Sequence, residues 1–211
     1  MNQNNQHLED IKAIKRMMEE STRYLSISGS AGILMGLIAI AGAIAATMII
    51  PDEMINGKGY TESIASHPDG VRIIKLLLVD AALVLLLATS AAFFFSVRKA
   101  RRHGQKLWST AAKRLMLNLA VPLAVGGVVT LLTLNSVPGY VSASLTLVFY
   151  GLALINASKY TFTQIYWLGI AEIVTGVATL LVPGQSIWFW GFGFGALHIA
   201  YGSFMYLKYR E

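Results

Sequence analysis

The chain has no cysteine among its 211 residues, and only 13% of those residues are charged, against about 25% in an ordinary soluble domain. The missing cysteine excludes disulfides, thiolate catalysis and cysteine metal sites. The scarcity of charge goes with 55% hydrophobic residues and a mean hydropathy of +0.57. That is more apolar material than a soluble core absorbs, whereas a bilayer takes about 20 apolar residues per spanning helix. Local signatures of catalysis are also missing: no nucleophile elbow, no His-Glu zinc motif, no phosphate-binding glycine loop and no haem attachment site. The chain is therefore read as a non-enzymatic protein without a cofactor.

Six apolar runs are present, at residues 26–50, 73–97, 115–134, 140–156, 165–182 and 187–207. Each is read as a transmembrane helix. Turn signals separate them: Pro51-Asp52, His67-Pro68-Asp69-Gly70, Pro138-Gly139 and Pro183-Gly184. The expected fold is an all-α integral membrane protein of six transmembrane helices in three helical hairpins, occupying residues 25–211. Fourteen of the seventeen Lys and Arg residues fall in the N-terminal segment, the second and fourth connections and the tail; Lys58, Arg72 and Lys75 fall on the other side. By the positive-inside rule both termini are cytoplasmic, in a bacterial inner membrane. The net charge of +6 belongs to this asymmetry, and no nucleic-acid partner is expected; the partner is the lipid bilayer.

Residues 1–24 place Leu8, Ile11, Ile14 and Met18 at helical spacing. They are read as an amphipathic cytoplasmic helix, lying in the interface or extending the first span. A secretory signal is not expected: the polar lead holds four acids, and the apolar run after it is too long. The basic stretch 98–114, with Trp108 as an interface anchor, sets topology and touches anionic lipid. Residues 51–71 form an acidic outer loop whose carboxylates are too scattered for an EF-hand.

The hairpins show signs of repetition. GSAGILMG (29–36) and GIAEIVTG (169–176) share Gly, Ala, Ile and Gly at the same offsets, and GVVTLL (127–132) matches GVATLL (176–181). A Tyr-Gly pair and then a Lys-Tyr pair follow each of the latter, at Tyr150-Gly151 with Lys159-Tyr160 and at Tyr201-Gly202 with Lys208-Tyr209. Parallel repeats of this kind occur in transporters and also arise by plain duplication. The first alignment sets Glu172 where the first hairpin has Gly32.

Glu172 stands in an otherwise apolar run. Faces of a helix recur every three to four residues, so Gly169, Glu172, Gly176 and Thr179 form one stripe, and Gly191, Gly195, His198 and Gly202 form another on the last span. Small residues let helices approach closely in lipid. Glu172 precedes Gly184 by 12 residues and His198 follows Gln185 by 13. At about 1.5 Å per residue the two reach the same depth, near the bilayer middle. A buried Glu172–His198 pair is expected, either handling protons or a cation, or locking two helices together. One Glu and one His are too few ligands for a metal. Asp80 is the other intramembrane acid; it lies nearer the outer side on a stripe with Leu76, Leu83 and Leu87 and stands as a second candidate. Asn118 and Pro122 mark a kink or polar contact in the third span. Trp188, Phe189 and Trp190 read as an aromatic belt. Gly32 and Gly36 make a GxxxG that permits a homo-oligomer or packing within the chain.

At YGLALINASKYTFTQIYWLG (150–169) and GFGALHIAYGSFMYLKY (193–209) the chain resembles a family of small, uncharacterised six-helix bacterial membrane proteins typical of the Bacteroidota. The stretch 8–36 fits the same family, which implies a fold and no activity. The pattern of three hairpins with Pro-Gly turns is also similar to HdeD-type acid-resistance membrane proteins, mainly over GIAEIVTGVATLLVPG and the last span. The leading expectation is passage of protons, ions or small solutes, or sensing, through the buried Glu-His site. The alternative is a structural membrane protein whose N-terminal helix recruits a cytoplasmic protein partner.

Overall fold

The computed structural model describes residues 11, 23–24, 28–51, 64, 67–102 and 108–209. The outer loop and the expected N-terminal helix lie largely outside the described residues. Among the described residues there is no strand. Five helices are long and apolar enough to cross a bilayer: α1 (Gly29–Ile49), α2 (Gly70–Arg102), α3 (Thr110–Thr133), α4 (Gly139–Ser158) and α5 (Gln164–Leu181). The protein is a helical, membrane-embedded protein. The sixth expected span is also helical but interrupted. A tight turn at Pro183–Gln185 leads into α6 (Ser186–Gly191), a π-helical segment (Phe192–Leu197) and α7 (His198–Tyr209).

Hydropathy marks only the apolar part of a helix, so two boundaries move outward. The expected 73–97 becomes 33 residues in α2, whose last turn carries Lys99, Arg101 and Arg102, where cations suit the helix C-terminus. The expected start at 115 moves to Thr110, because Ser109 caps α3 by accepting from the Ala112 N–H at 3.1 Å. Pro122 is carried inside α3. Asn118 folds back on its own helix, donating to the Arg114 carbonyl at 2.8 Å.

The helices succeed one another in space as α2, α1, α7, α5, α4, α3, with the π segment set between α1 and α5. The apolar stretch of α2 is left unburied by the rest of the chain and that of α3 nearly so, while over a third of α4 and α5 is buried. At the end holding the chain's N-terminal segment, the Tyr24 N–H donates to the Tyr160 carbonyl at 2.7 Å and Thr161 Oγ1 donates to the Tyr24 carbonyl at 2.7 Å. The segment before α1 is thereby tied to the α4–α5 turn.

Two contacts between hairpins are built alike. A Cβ on Gly151 of α4 would lie 2.5 Å from the Gly169 carbonyl oxygen and 3.0 Å from the Ile173 N of α5. A Cβ on Gly202 of α7 would lie 2.6 Å from the Gly29 carbonyl oxygen and 2.5 Å from the Ile33 N of α1. The repeat aligns Gly29 with Gly169, and hence Ile33 with Ile173. Each Tyr-Gly pair thus presses its glycine onto the same two backbone atoms of the first helix of another hairpin. In lipid, where apolar side chains gain little by leaving the solvent, such backbone approach is what holds helices together.

Among the described residues α3 does not pack on α2 in this way. The repeat aligns Gly127 with Gly176. A Cβ on Gly176 would meet Leu147 Cβ at 3.0 Å and the Ser144 carbonyl oxygen at 3.1 Å, whereas nothing lies within 4 Å of the same point on Gly127. α2 has no Tyr-Gly pair to receive α3. A cleft of about 240 Å³ opens between α2 and the Thr130–Leu134 end of α3, with α1, α4 and α6 forming most of the rest of its walls.

Candidate functional site: a buried Glu-His-Tyr chain

One face of α5 is buried, and it carries Leu168, Gly169, Glu172, Thr175, Gly176 and Thr179. Both threonines turn their hydroxyls up their own helix, Thr175 to the Ala171 carbonyl at 2.8 Å and Thr179 to the Thr175 carbonyl at 2.9 Å. Ser144 of α4 donates to the Gly176 carbonyl at 2.7 Å. The polar groups around Glu172 are thus satisfied by backbone, and none of these hydroxyls serves its carboxylate.

The facing wall is the π segment, with Gly193 and Gly195 buried. Its wider turn departs from regular helical spacing, a distortion that recurs at functional sites. A Cβ on Gly193 would lie 2.6 Å from Glu172 Oε2 and 2.5 Å from Leu147 Cδ2. Glycine at this position leaves the room that the carboxylate fills.

His198 completes the arrangement. Its Nδ1 lies 3.3 Å from Glu172 Oε1 and 3.2 Å from the Gly193 carbonyl oxygen, and its Nε2 lies 2.8 Å from Tyr150 OH. A carbonyl only accepts, so the Gly193 oxygen assigns a hydrogen to Nδ1. In the neutral ring Nε2 then accepts from the Tyr150 hydroxyl. The chain reads Tyr150 O–H, imidazole, Glu172 carboxylate. Glu172 is 0% exposed and His198 4%, and neither Glu172 oxygen has a hydrogen bond of good geometry. An imidazole with a donor on one nitrogen and a carboxylate beside the other can take up and hand on a proton.

A row of tilted aromatic contacts leads away from the chain. Tyr150 packs against Phe194 at 5.0 Å between ring centroids, and Phe194 against Trp190 at 4.8 Å. Trp190 lines the cleft between α2 and α3, together with Asp80, Thr130, Ser142 and Thr146. Ser142, Thr146 and Tyr150 recur at helical spacing on α4, so a polar stripe runs from cleft to chain beside the aromatic row.

The structure brings Glu172 and His198 together and sets Asp80 apart, on the cleft. The stripe of Leu76, Leu83 and Leu87 expected around Asp80 is exposed. Gly42 of α1 makes room for Val84 of α2, and the Asp80 carboxylate lies in ordinary contact beside it, 3.7 Å from where a Cβ on Gly42 would stand. Gly32 and Gly36 face Gly202 and the Gly195 carbonyl, so of the two uses expected for this GxxxG the described residues show packing within the chain. Gly191 is half-buried and packs on α1, where a Cβ would lie 3.1 Å from Ala43 Cβ, while Gly193 of the π segment faces Glu172 of α5. Gly169 and Gly176 seat α4. Among the described residues no three His, Cys, Asp or Glu side chains gather as a metal site. Sequence reasoning missed Tyr150, Gly151 and Gly193 as site residues. The repeated Tyr-Gly pair was the signal for the first two; the third depends on the π turn.

No family model matches this chain, and no curated protein or solved structure matches it. The geometry above carries the functional reading.

Proposed function

We propose that the protein crosses the bacterial inner membrane six times with both termini cytoplasmic, and that Tyr150, His198 and Glu172 form a proton-handling site. The site serves passage of protons, ions or small solutes, or sensing; no enzymatic step is assigned to it. One observation carries the reading: a fully buried carboxylate whose oxygens lack good hydrogen bonds sits against an imidazole already bonded on its far side. Burying such a group costs several kcal/mol, and an apolar side chain would hold the helices together as well. Ionisable groups kept at membrane depth in spite of that cost serve function by default. The basic residues support the orientation. Lys99, Arg101, Arg102, Lys113, Arg114, Lys159 and Lys208 gather at one end of the bundle, against Arg72 and Lys75 at the other.

In this reading the state described is closed, and the cleft with the Ser142–Thr146 stripe is the outer approach. Phe194 and Trp190 stand between cleft and chain, so exchange requires them to move. The likeness to acid-resistance membrane proteins belongs to the same proposal, as an analogy of pattern. A second reading is favoured by the tight glycine contacts on both sides of Glu172. There the pair only locks α5 to the last helical run, and function resides in the N-terminal helix and a cytoplasmic partner.

The test is proton and cation flux into proteoliposomes, comparing the native chain with Glu172→Gln. Flux that is present in the native chain and lost in a folded variant supports the proposal. Flux unchanged by the substitution, or absent from both, supports the structural reading instead.

A further inference from the structure

The open contact between α2 and α3 raises a separate question: what fills it. Asp80 projects into this cleft from α2, and among the described residues it has no hydrogen bond or ion pair. Arg72 and Lys75, the basic residues of its own helix, do not reach it. Across the cleft, Ser142 Oγ and Thr130 Oγ1 are buried without a hydrogen-bond partner, and Ser142 is only 8% exposed. Thr146, Tyr140 and Ser186 also line the cleft, and the rest of its wall is apolar, with Ile74, Leu77 and Trp190 prominent. The site therefore offers one carboxylate and two buried, unpartnered hydroxyls at membrane depth, set in a largely hydrocarbon wall.

That chemistry selects its occupant. A ligand carboxylate or phosphate is repelled by Asp80. A bare metal ion is not matched by a single carboxylate and two hydroxyls, since hard cations need six or more oxygens in place of their water. A neutral hydrocarbon fills the space but leaves three polar groups unpaired. An ammonium group on a small apolar body satisfies all of these at once. It donates to the carboxylate and hydroxyls and lays its body on the apolar wall and the Trp190 ring, which also attracts cations. The volume of about 240 Å³ exceeds the roughly 150 Å³ of an apolar cavity that accepts benzene, leaving room for a ring and a short ammonium arm.

We propose that the cleft between α2 and α3 binds a small lipophilic organic cation through Asp80. The site does not depend on the proton-handling reading, since Asp80 makes no contact with Glu172 or His198.

The test uses the full chain in lipid nanodiscs and equilibrium dialysis with 2-phenylethylammonium, with 2-phenylethanol as its neutral counterpart. The expected result is saturable binding of the ammonium, weakened about tenfold or more by Asp80→Asn, as loss of a charge-assisted contact requires. The alcohol should bind native and Asp80→Asn protein alike. Ala81→Phe, on the exposed face of α2 beside the cleft, fills the space without entering a packed contact. It should block both probes, and it decides the matter if Asp80→Asn fails to fold. Absence of saturable ammonium binding, equal ammonium affinity for native and Asp80→Asn protein, or undiminished binding to Ala81→Phe would each overturn the proposal.

Discussion

The α4–α5 contact and the α7–α1 contact use one packing device for two purposes. In both, the glycine of a Tyr-Gly pair rests on the carbonyl and amide of successive turns of a Gly-x-x-x helix. In the second, position 32 is glycine, and its Cα region lies against Gly202 and the His198 carbonyl. In the first, the equivalent position is Glu172, whose side chain turns away from the glycine contact toward the π segment and His198. Close backbone packing is the shared scaffold, and the carboxylate is an addition to one copy of it. The third potential copy, at Gly127, has neither a packing partner nor a carboxylate, and Thr130 and Leu134, at the end of the same helix, line the cleft. Repetition therefore sets where helices touch, while departures from it mark where chemistry is placed.

His198 is the position on which the Glu172 copy depends most. His198→Leu leaves Glu172 buried without its partner, and by analogy with split buried ion pairs it should lower stability by about 3 kcal/mol or more. The double variant Glu172→Leu with His198→Leu should recover most of that loss. Thermal unfolding in detergent reads both, and additive losses would show that the two groups do not interact. Next come the scaffold glycines. Gly151→Ala and Gly202→Ala each force a methyl onto backbone and should cost about 1–3 kcal/mol, by similar amounts. A marked inequality would mean that the two contacts are not equivalent. Tyr150→Phe removes one buried hydrogen bond from the chain and should cost about 1 kcal/mol, with a slower proton flux in proteoliposomes. Gly127→Ala should change stability by less than about 0.5 kcal/mol, as for a surface position; a loss like that at Gly151 would mean that α3 has a packing partner after all.

Much of this arrangement was legible in the sequence, for physical reasons. The bilayer demands long apolar helices, so the spans stood out, and a short Pro-Gly turn fixes the relative depth of the residues on either side. That is why Glu172 and His198 were expected at one level. Tyr150 was not linked to them, because it reaches His198 from a helix 48 residues away in sequence, and depth counting gives no lateral position. The π turn shifts the last helix off regular spacing, so the stripe through Gly191, which lies close to Ala43 of α1, passed over Gly193. Asp80 was read from its own helix alone, whereas residues of other helices, Ser142 and Trp190 among them, line the cleft it enters. The cleft reflects an absent contact between two helices, and absent contacts leave no periodicity to find.

The central claim is that Glu172 exchanges a proton inside a folded, membrane-embedded bundle. Infrared difference spectroscopy of the protein in lipid, recorded between acidic and alkaline buffer, tests it most directly, with Glu172→Gln assigning the carboxyl band. The account predicts a carboxylic C=O band that appears and vanishes reversibly with pH in the native chain and is missing from the variant. A spectrum in which no band assigned to Glu172 responds to pH, while the protein stays folded, would contradict it and leave the pair as a helix lock.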